Sequence, residues 1–246
     1  TIVNNKKILA YGYDSKNRKQ IIYNPKYINI QNCKKYNKIE DCNKYFLKIK
    51  NCISKDIKST DEKTKINAMI ITLILCCGFR IGNKKYEKEN NSYGLTTLKL
   101  SHISCDNKKC HIIFDFIGKK GVRNKSVCKN KYIYQYISKK LIAYQDNKEN
   151  DEYIFTYNNI RINSTDVNNY LEDKLGVKIT SKDLRTWNAN NLFTKFLNKS
   201  NNCKNPIKKA LELTAIELHN TPTVCKNSYI DPRIIEYAKN QIINKN

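Results

Sequence analysis

Between residues 62 and 78 the chain repeats apolar residues at three- and four-residue intervals: Ile66, Met69, Ile70, Leu73, Ile74 and Cys77. That period predicts a helix, and its apolar content predicts a buried one. Ser59 and Glu62 form a Ser-x-x-Glu signature that predicts the helix start, and Gly78 predicts its stop. A buried helix needs other elements packed around it, so this segment fixes the centre of a domain. Arg80 stands just beyond the stop, on an element anchored by the best-specified helix of the chain. A rigid platform of that kind suits a reactive cation.

The remaining pattern surrounds that helix. Residues 8–13 and 20–23, joined by Asp14-Ser15-Lys16-Asn17, predict a β-hairpin that ends at Asn24-Pro25. A polar stretch rich in Lys and Asn leads to a helical period over Tyr45, Phe46, Ile49, Cys52 and Ile53. Residues 96–103, 111–117 and 122–128 predict three strands, separated by Asp106-Asn107-Lys108-Lys109 and Gly118-Lys119-Lys120-Gly121. Helices are expected at 132–144, 164–175, 181–197, 206–219 and from Pro232 to the end, with loops at 198–205 and 220–228. The fold class is therefore α+β: a mainly α domain with a small three-stranded antiparallel sheet, preceded by a β-hairpin. Residues 1–30 are expected to be the last part of a small N-terminal β domain with its linker, and 31–246 the main domain. Because Thr1 is not an initiator, the chain is expected to begin inside a longer gene product.

Lys and Arg outnumber Asp and Glu by 46 to 22, a net charge of +24. With no acidic segment to offset it, this excess points to a polyanionic partner, and nucleic acid fits best. Part of the Lys surplus is compositional, since Asn and Ile are abundant as well. Arg is scarce and occurs only at 18, 80, 123, 161, 185 and 233. An Arg at a site in such a chain suggests planar, bidentate phosphate recognition that Lys cannot supply.

Ten cysteines are scattered without the spacing of a zinc ribbon or a disulfide scaffold. Cys76 and Cys77 lie in an apolar run and read as core. The tract Cys105 to His111 offers three ligands on a hairpin with no second cluster, so no metal site is expected there. Thiols in this number point to a reducing, intracellular compartment. No apolar run is long enough to span a bilayer, and no secretory signal is visible.

Four short islands carry chemistry: Gly78-Phe79-Arg80-Ile81-Gly82, Ile117-Gly118-Lys119-Lys120-Gly121, Lys182-Asp183-Leu184-Arg185, and His219 with Ser228-Tyr229-Ile230-Asp231-Pro232-Arg233. Two arginines, a turn lysine, a histidine and a tyrosine are the residue types needed for a phenol to attack a DNA phosphate without a metal. Each island alone is weak, since seventeen tyrosines occur and a Gly-Lys-Lys-Gly turn is usually only a turn.

Their order, together with Tyr93-Gly94-Leu95-Thr96-Thr97-Leu98 and Lys182-Asp183-Leu184-Arg185-Thr186-Trp187-Asn188-Ala189, resembles the type IB DNA topoisomerases, most of all the compact enzymes of poxviruses and other large DNA viruses. The resemblance spans essentially the whole chain and implies a fold like that of tyrosine recombinases and type IB topoisomerases. It implies that Tyr229 is the nucleophile, that Arg80 and Arg185 clamp the scissile phosphate, that His219 donates to one of its oxygens, and that Lys119 is the general acid. By the same resemblance Lys182 is a supporting general-acid or phosphate contact and Asn190 a phosphate or orienting ligand; Lys85, Tyr86 and Lys120 are further candidates for DNA contact. The implied partner is double-stranded DNA, bound by a monomer without cofactor, metal or membrane. The implied location is the virion or host cytoplasm of a large DNA virus. Asn83 and Lys120 depart from the poxviral pattern beside catalytic positions, so the poxviral cleavage preference is not carried over.

Two other readings remain at this level. A tyrosine recombinase shares the arginines, lysine and tyrosine, but usually carries a histidine where this chain has Lys182. A noncatalytic DNA-binding protein would share only the charge.

Overall fold

The structure, a computed structural model, describes residues 1–15, 17–146 and 151–243. The chain divides into two compact units, Thr1–Asp41 and Cys42–Asn246.

In the first unit β1 (Ile8–Tyr13) pairs antiparallel with β2 (Lys19–Tyr23), as the sequence predicts. Arg18 and Asp14 form an ion pair at 2.8 Å beside the turn, whose Lys16 lies outside the described residues. Helix α1 (Pro25–Asp56) starts directly after β2 and continues into the second unit. The sequence places a helix only from about residue 42. Pro25 at the first position, where its missing N–H costs nothing, and Asn24, which accepts from the Lys26 N–H at 3.0 Å, start it much earlier. In the Lys- and Asn-rich turns that follow, Ile30, Cys33, Tyr36 and Ile39 recur every three residues, a sparse stripe that the polar surroundings mask.

The second unit is built around α2 (Glu62–Cys77), in which Ile66, Ala68, Ile70, Ile71, Leu73 and Ile74 are fully buried. Each such Ile or Leu contributes about 1.5–3 kcal/mol of burial. Asp61, not Ser59, caps the helix: its carboxylate accepts from the Thr64 N–H at 2.9 Å, while the Ser59 hydroxyl accepts from the Asp61 N–H. Cys76, expected in the core, is exposed, whereas Cys77 is buried.

Helix α3 (Lys84–Asn90) follows, then two 3-10 turns at Leu95–Thr97 and Leu100–His102. The sequence predicts a strand over 96–103. The Leu95 and Thr96 N–H groups instead donate to the Arg80 and Ile81 carbonyls at 2.9 and 2.7 Å, which removes them from any ladder. The strand itself, β3 (Ile103–Asp106), begins where that prediction ends; it pairs with β4 (His111–Ile117), which pairs with β5 (Arg123–Cys128), all antiparallel. Ile112, Phe114 and Phe116 alternate inward on β4, and Phe79 packs edge-on against both phenylalanines at 5.3 and 5.1 Å.

Helix α4 (Lys131–Asp146) lies against the sheet. A small hairpin of β6 (Thr156–Tyr157) and β7 (Ile160–Arg161) leads to α5 (Ser164–Leu175), α6 (Ser181–Lys199) and α7 (Pro206–Glu217). The segment 220–228, expected as a loop, holds a short helix, α8 (Pro222–Ser228), capped by Thr221 and opened by Pro222. The last described element is α9 (Pro232–Ile243); the final residues, placed in that helix by the sequence, lie outside the described residues. Among the described residues no helix is long and apolar enough to cross a membrane.

Candidate active site

The C-terminal ends of α2 and α7 meet, and their free carbonyls organise the site. Gly78 ends α2 with φ +62°, and a Cβ there would run into the Glu217 carbonyl at the end of α7. Only glycine permits this approach. The last carbonyls of a helix lack intrahelical partners and carry partial negative charge. Here they hold one guanidinium and a ring N–H: Arg185 donates through Nε to the Gly78 carbonyl at 3.0 Å and through Nη2 to the Leu218 carbonyl at 2.6 Å. His219 Nε2 bonds the Cys77 carbonyl at 3.0 Å, and its ring stacks on Phe79 at 5.3 Å.

Arg185 is 3% exposed, and its Nη1 has no hydrogen-bond partner among the described residues. A buried donor left over after two carbonyls are engaged is poised for an anion. Burial is the main cause that pulls the Arg185 guanidinium down to about 10, opposed by Tyr229 and assisted by Arg80. It remains a cation at neutral pH.

Arg80 leaves the shelf two residues after Gly78 and donates from Nη2 to Asn220 Oδ1 at 2.5 Å. Its loop is pressed against residues 94–96, where a Cβ on Gly94 would lie 2.6 Å from the Gly82 Cα. Two bonds from Leu95 and Thr96 of the same segment fasten the loop to it, so Arg80 projects from a rigid backbone.

Tyr229 follows α8, its N–H bonded to the Cys225 carbonyl at 3.0 Å. Asn190, 3% exposed on α6, grips the chain on both sides of it. The Asn190 amide donates to the Tyr229 carbonyl and accepts from the Asp231 N–H, both at 2.8 Å, and donates to the Thr186 carbonyl at 2.8 Å. Asp231 is held in turn by Arg233 at 2.7 and 3.0 Å. Ile230 is fully buried among Phe193, Leu211, Leu218 and Cys225. The phenol ring is thereby set with its centroid 4.7 Å from the Arg185 guanidinium carbon.

These elements line an open-mouthed cavity of about 420 Å³ whose walls include Arg80, Lys119, Lys182, Arg185 and Tyr229. Lys119 sits exposed at the tip of the β4–β5 hairpin, with its ammonium 5.7 Å from the Tyr86 ring, and Tyr86 lines the same cavity. Lys85 and Lys120 are exposed outside it, Lys85 forming a 3.9 Å ion pair with Glu89. His219 does not line the cavity: its Nε2 faces the Cys77 carbonyl. In the neutral ring this bond places the proton on Nε2. Burial, reinforced by Arg185 and Arg80 and opposed by the Cys77 carbonyl, lowers the His219 pKa and favours that neutral form.

Sequence reasoning missed Asn220, which receives Arg80, and Ser164 and Ser181, whose residues line the cavity. Asn220 adjoins His219 and was within reach; the serines carry only helix-start signals. Among the described residues the one grouping of three or more metal-ligating side chains is Cys76, Cys77 and Cys128, and none of these lines the cavity. What the cavity offers is a phenol beside guanidinium and ammonium groups, a set suited to a phosphodiester.

The family of the eukaryotic DNA topoisomerase I catalytic core matches residues 19–246. The DNA topoisomerase 1B of Acanthamoeba polyphaga mimivirus is 28% identical over 251 aligned positions, covering 96% of this chain and 74% of that protein. The DNA topoisomerase 1B of vaccinia virus (strain Copenhagen) is 27% identical over 244 positions, again covering 96% of this chain and 74% of the relative. Human DNA topoisomerase 1 is 30% identical over 149 positions, which cover 58% of this chain and 18% of the human protein.

Proposed function

The chain belongs to the DNA topoisomerase I catalytic-core family, an isomerase family, and from that premise we propose that it relaxes supercoiled duplex DNA by cutting one strand through a transient bond to Tyr229. The observation that carries this reading is the single cavity shared by Tyr229, Arg80, Arg185, Lys119 and Lys182.

The phenolic oxygen of Tyr229 attacks the phosphorus, its proton passing to water, and a new O–P bond forms as the bond to the 5′ oxygen breaks. Lys119 supplies the proton that turns the departing alkoxide into a hydroxyl. A free phenol with pKa ~10 is a weak nucleophile at neutral pH. The Arg185 Nη1, unpartnered among the described residues, and the Arg80 fork meet charge as it develops on the nonbridging oxygens. His219 joins them by turning its ring from the Cys77 carbonyl to a phosphate oxygen. Lys182, exposed on the same wall, supplies a further ammonium group near the phosphate. Asn190 acts on the backbone, aiming Tyr229 without touching the phosphate.

The product is a 3′-phosphotyrosine diester, which retains the energy of the broken bond. After the free 5′ end rotates, its hydroxyl attacks the same phosphorus and expels Tyr229, so the cycle needs no ATP. The cations around the phosphate belong to the chain, so no divalent ion is required in the step.

The test is relaxation of supercoiled plasmid in EDTA without nucleotide. Relaxation by the chain, and its loss in Tyr229→Phe with DNA affinity retained, is the expected result. A plasmid that is bound and shifted yet stays supercoiled would overturn the reading.

A further inference from the structure

We propose that Cys76, Cys77 and Cys128 form a binding site for one thiophilic d10 cation, Zn²⁺ or Cu⁺, beneath the shelf that carries Arg185 and His219. The three sulfurs all lie within 4.8 Å of one another, and those of Cys76 and Cys77 are 3.4 Å apart. A four-coordinate zinc with Zn–S bonds of about 2.3 Å holds its thiolates about 3.8 Å from each other. The observed spread brackets that spacing, so binding needs only side-chain adjustment. Two ligands end the central helix α2 and the third ends β5, elements fixed by the core. Cys77 and Cys128 are buried, whereas Cys76 is exposed. The ion therefore has an approach from solvent, where water or an external ligand completes a zinc site; Cu⁺ is satisfied by the three sulfurs alone.

The step balances simply. Each thiol gives up its proton, so one ion binds three thiolates and up to three protons are released. A Zn²⁺ complex carries one net negative charge, which the strongly basic chain tolerates well. The tract of Cys105, Cys110 and His111 makes no such cluster; the Cys110 thiol is turned toward the Asn107 carbonyl.

Position gives the site its consequence. The carbonyl of ligand Cys77 holds His219, and the next carbonyl, of Gly78, holds Arg185. An ion joining α2 to β5 immobilises the backbone on which both side chains hang. It also binds only the folded chain with this geometry, so it raises stability by mass action.

The site is tested with the reduced full chain in a phosphine reductant. Titration with Cd²⁺, read by thiolate-to-cadmium ultraviolet absorption, is expected to saturate at one equivalent and to raise Tm by about 2–8 °C. Competition against chelators chosen for Zn²⁺ and for Cu⁺ distinguishes the two ions. Cys76→Ser, at an exposed position that leaves the core intact, is expected to weaken binding by at least about 100-fold, since even outer-shell partners are worth about 10–100-fold. Cys105→Ser/Cys110→Ser is expected to leave it unchanged. Absence of the absorption band, or a Cys76→Ser chain that binds as tightly as the parent, would overturn the proposal. So would a reduced chain that takes up no metal but loses two hydrogens on oxidation through a bridge to Cys128. All of these readings are independent of whether the chain relaxes DNA.

Discussion

The Arg185 guanidinium carbon lies 4.7 Å from the ring centroid of Tyr229, while two of its nitrogens are spent on the Gly78 and Leu218 carbonyls. One side chain thus joins the ends of α2 and α7 and faces the proposed nucleophile. A planar fork can do all three at once, whereas an ammonium group cannot. Arg185→Lys is therefore expected to lower the rate of strand cleavage by about 10²–10³-fold, the usual loss when one donor to a developing oxyanion is removed. Single-turnover cleavage of a labelled duplex measures it. A rate within threefold of the parent would mean that Arg185 is structural only.

Asn190 separates positioning from binding. Asn190→Ala removes bonds to the Tyr229 carbonyl and the Asp231 N–H, leaving buried groups unpaired at about 1–3 kcal/mol each. Cleavage is expected to slow markedly while the affinity for duplex DNA stays nearly constant. Chemical denaturation and fluorescence-anisotropy binding check the two halves separately.

Gly78→Ala is expected to be severe although it adds only a methyl group. The φ of +62° alone costs about 1–2 kcal/mol for a side chain, and the Glu217 carbonyl occupies the space the Cβ needs. A Tm drop of at least about 4 °C by calorimetry is the expected outcome, accompanied by loss of activity, because the same helix ends hold Arg185 and His219.

The lowered pKa of His219 ties stability to pH in a defined direction. The unfolded chain protonates this ring near ~6.5, while the folded chain resists until lower pH. The unfolded state then binds more protons, so stability is full above ~6.5 and falls as pH drops toward the folded pKa. His219→Gln is expected to flatten that part of the stability curve. Titration of the imidazole Hε1 resonances, assigned with the same variant, gives the folded midpoint directly; a midpoint at or above ~6.5 would contradict the assignment.

Much of this arrangement was legible in the sequence because it rests on patterns of side chains. The period of Ile66 to Cys77 located the central helix, and the turn residues Asp106 to Lys109 and Gly118 to Gly121 bounded β4. Residues 96–103 misled because Thr96, Leu98 and Leu100 alternate like a strand while the Thr96 N–H is bound to the Ile81 carbonyl and the Leu100 N–H to the Glu152 carbonyl. Helix α8 went unrecognised despite Thr221-Pro222, a good cap and first turn, because it spans only seven residues. The candidate cations and the tyrosine were visible as motifs. Their supports were not, since the carbonyls of Cys77, Gly78 and Leu218 carry no side-chain signal. The thiol cluster was equally hidden, because Cys128 reaches Cys76 and Cys77 only through the pairing of the sheet and its packing on α2.

The most direct measurement is chemical capture of the intermediate. Duplex DNA carrying a labelled strand is incubated with the chain, the reaction is stopped with detergent, and the covalent adduct is digested and sequenced by mass spectrometry. The expected product is a nucleotide joined through its 3′ phosphate to the peptide containing Tyr229, with no adduct in Tyr229→Phe. Relaxation without an adduct, or an adduct on any other residue, would contradict it.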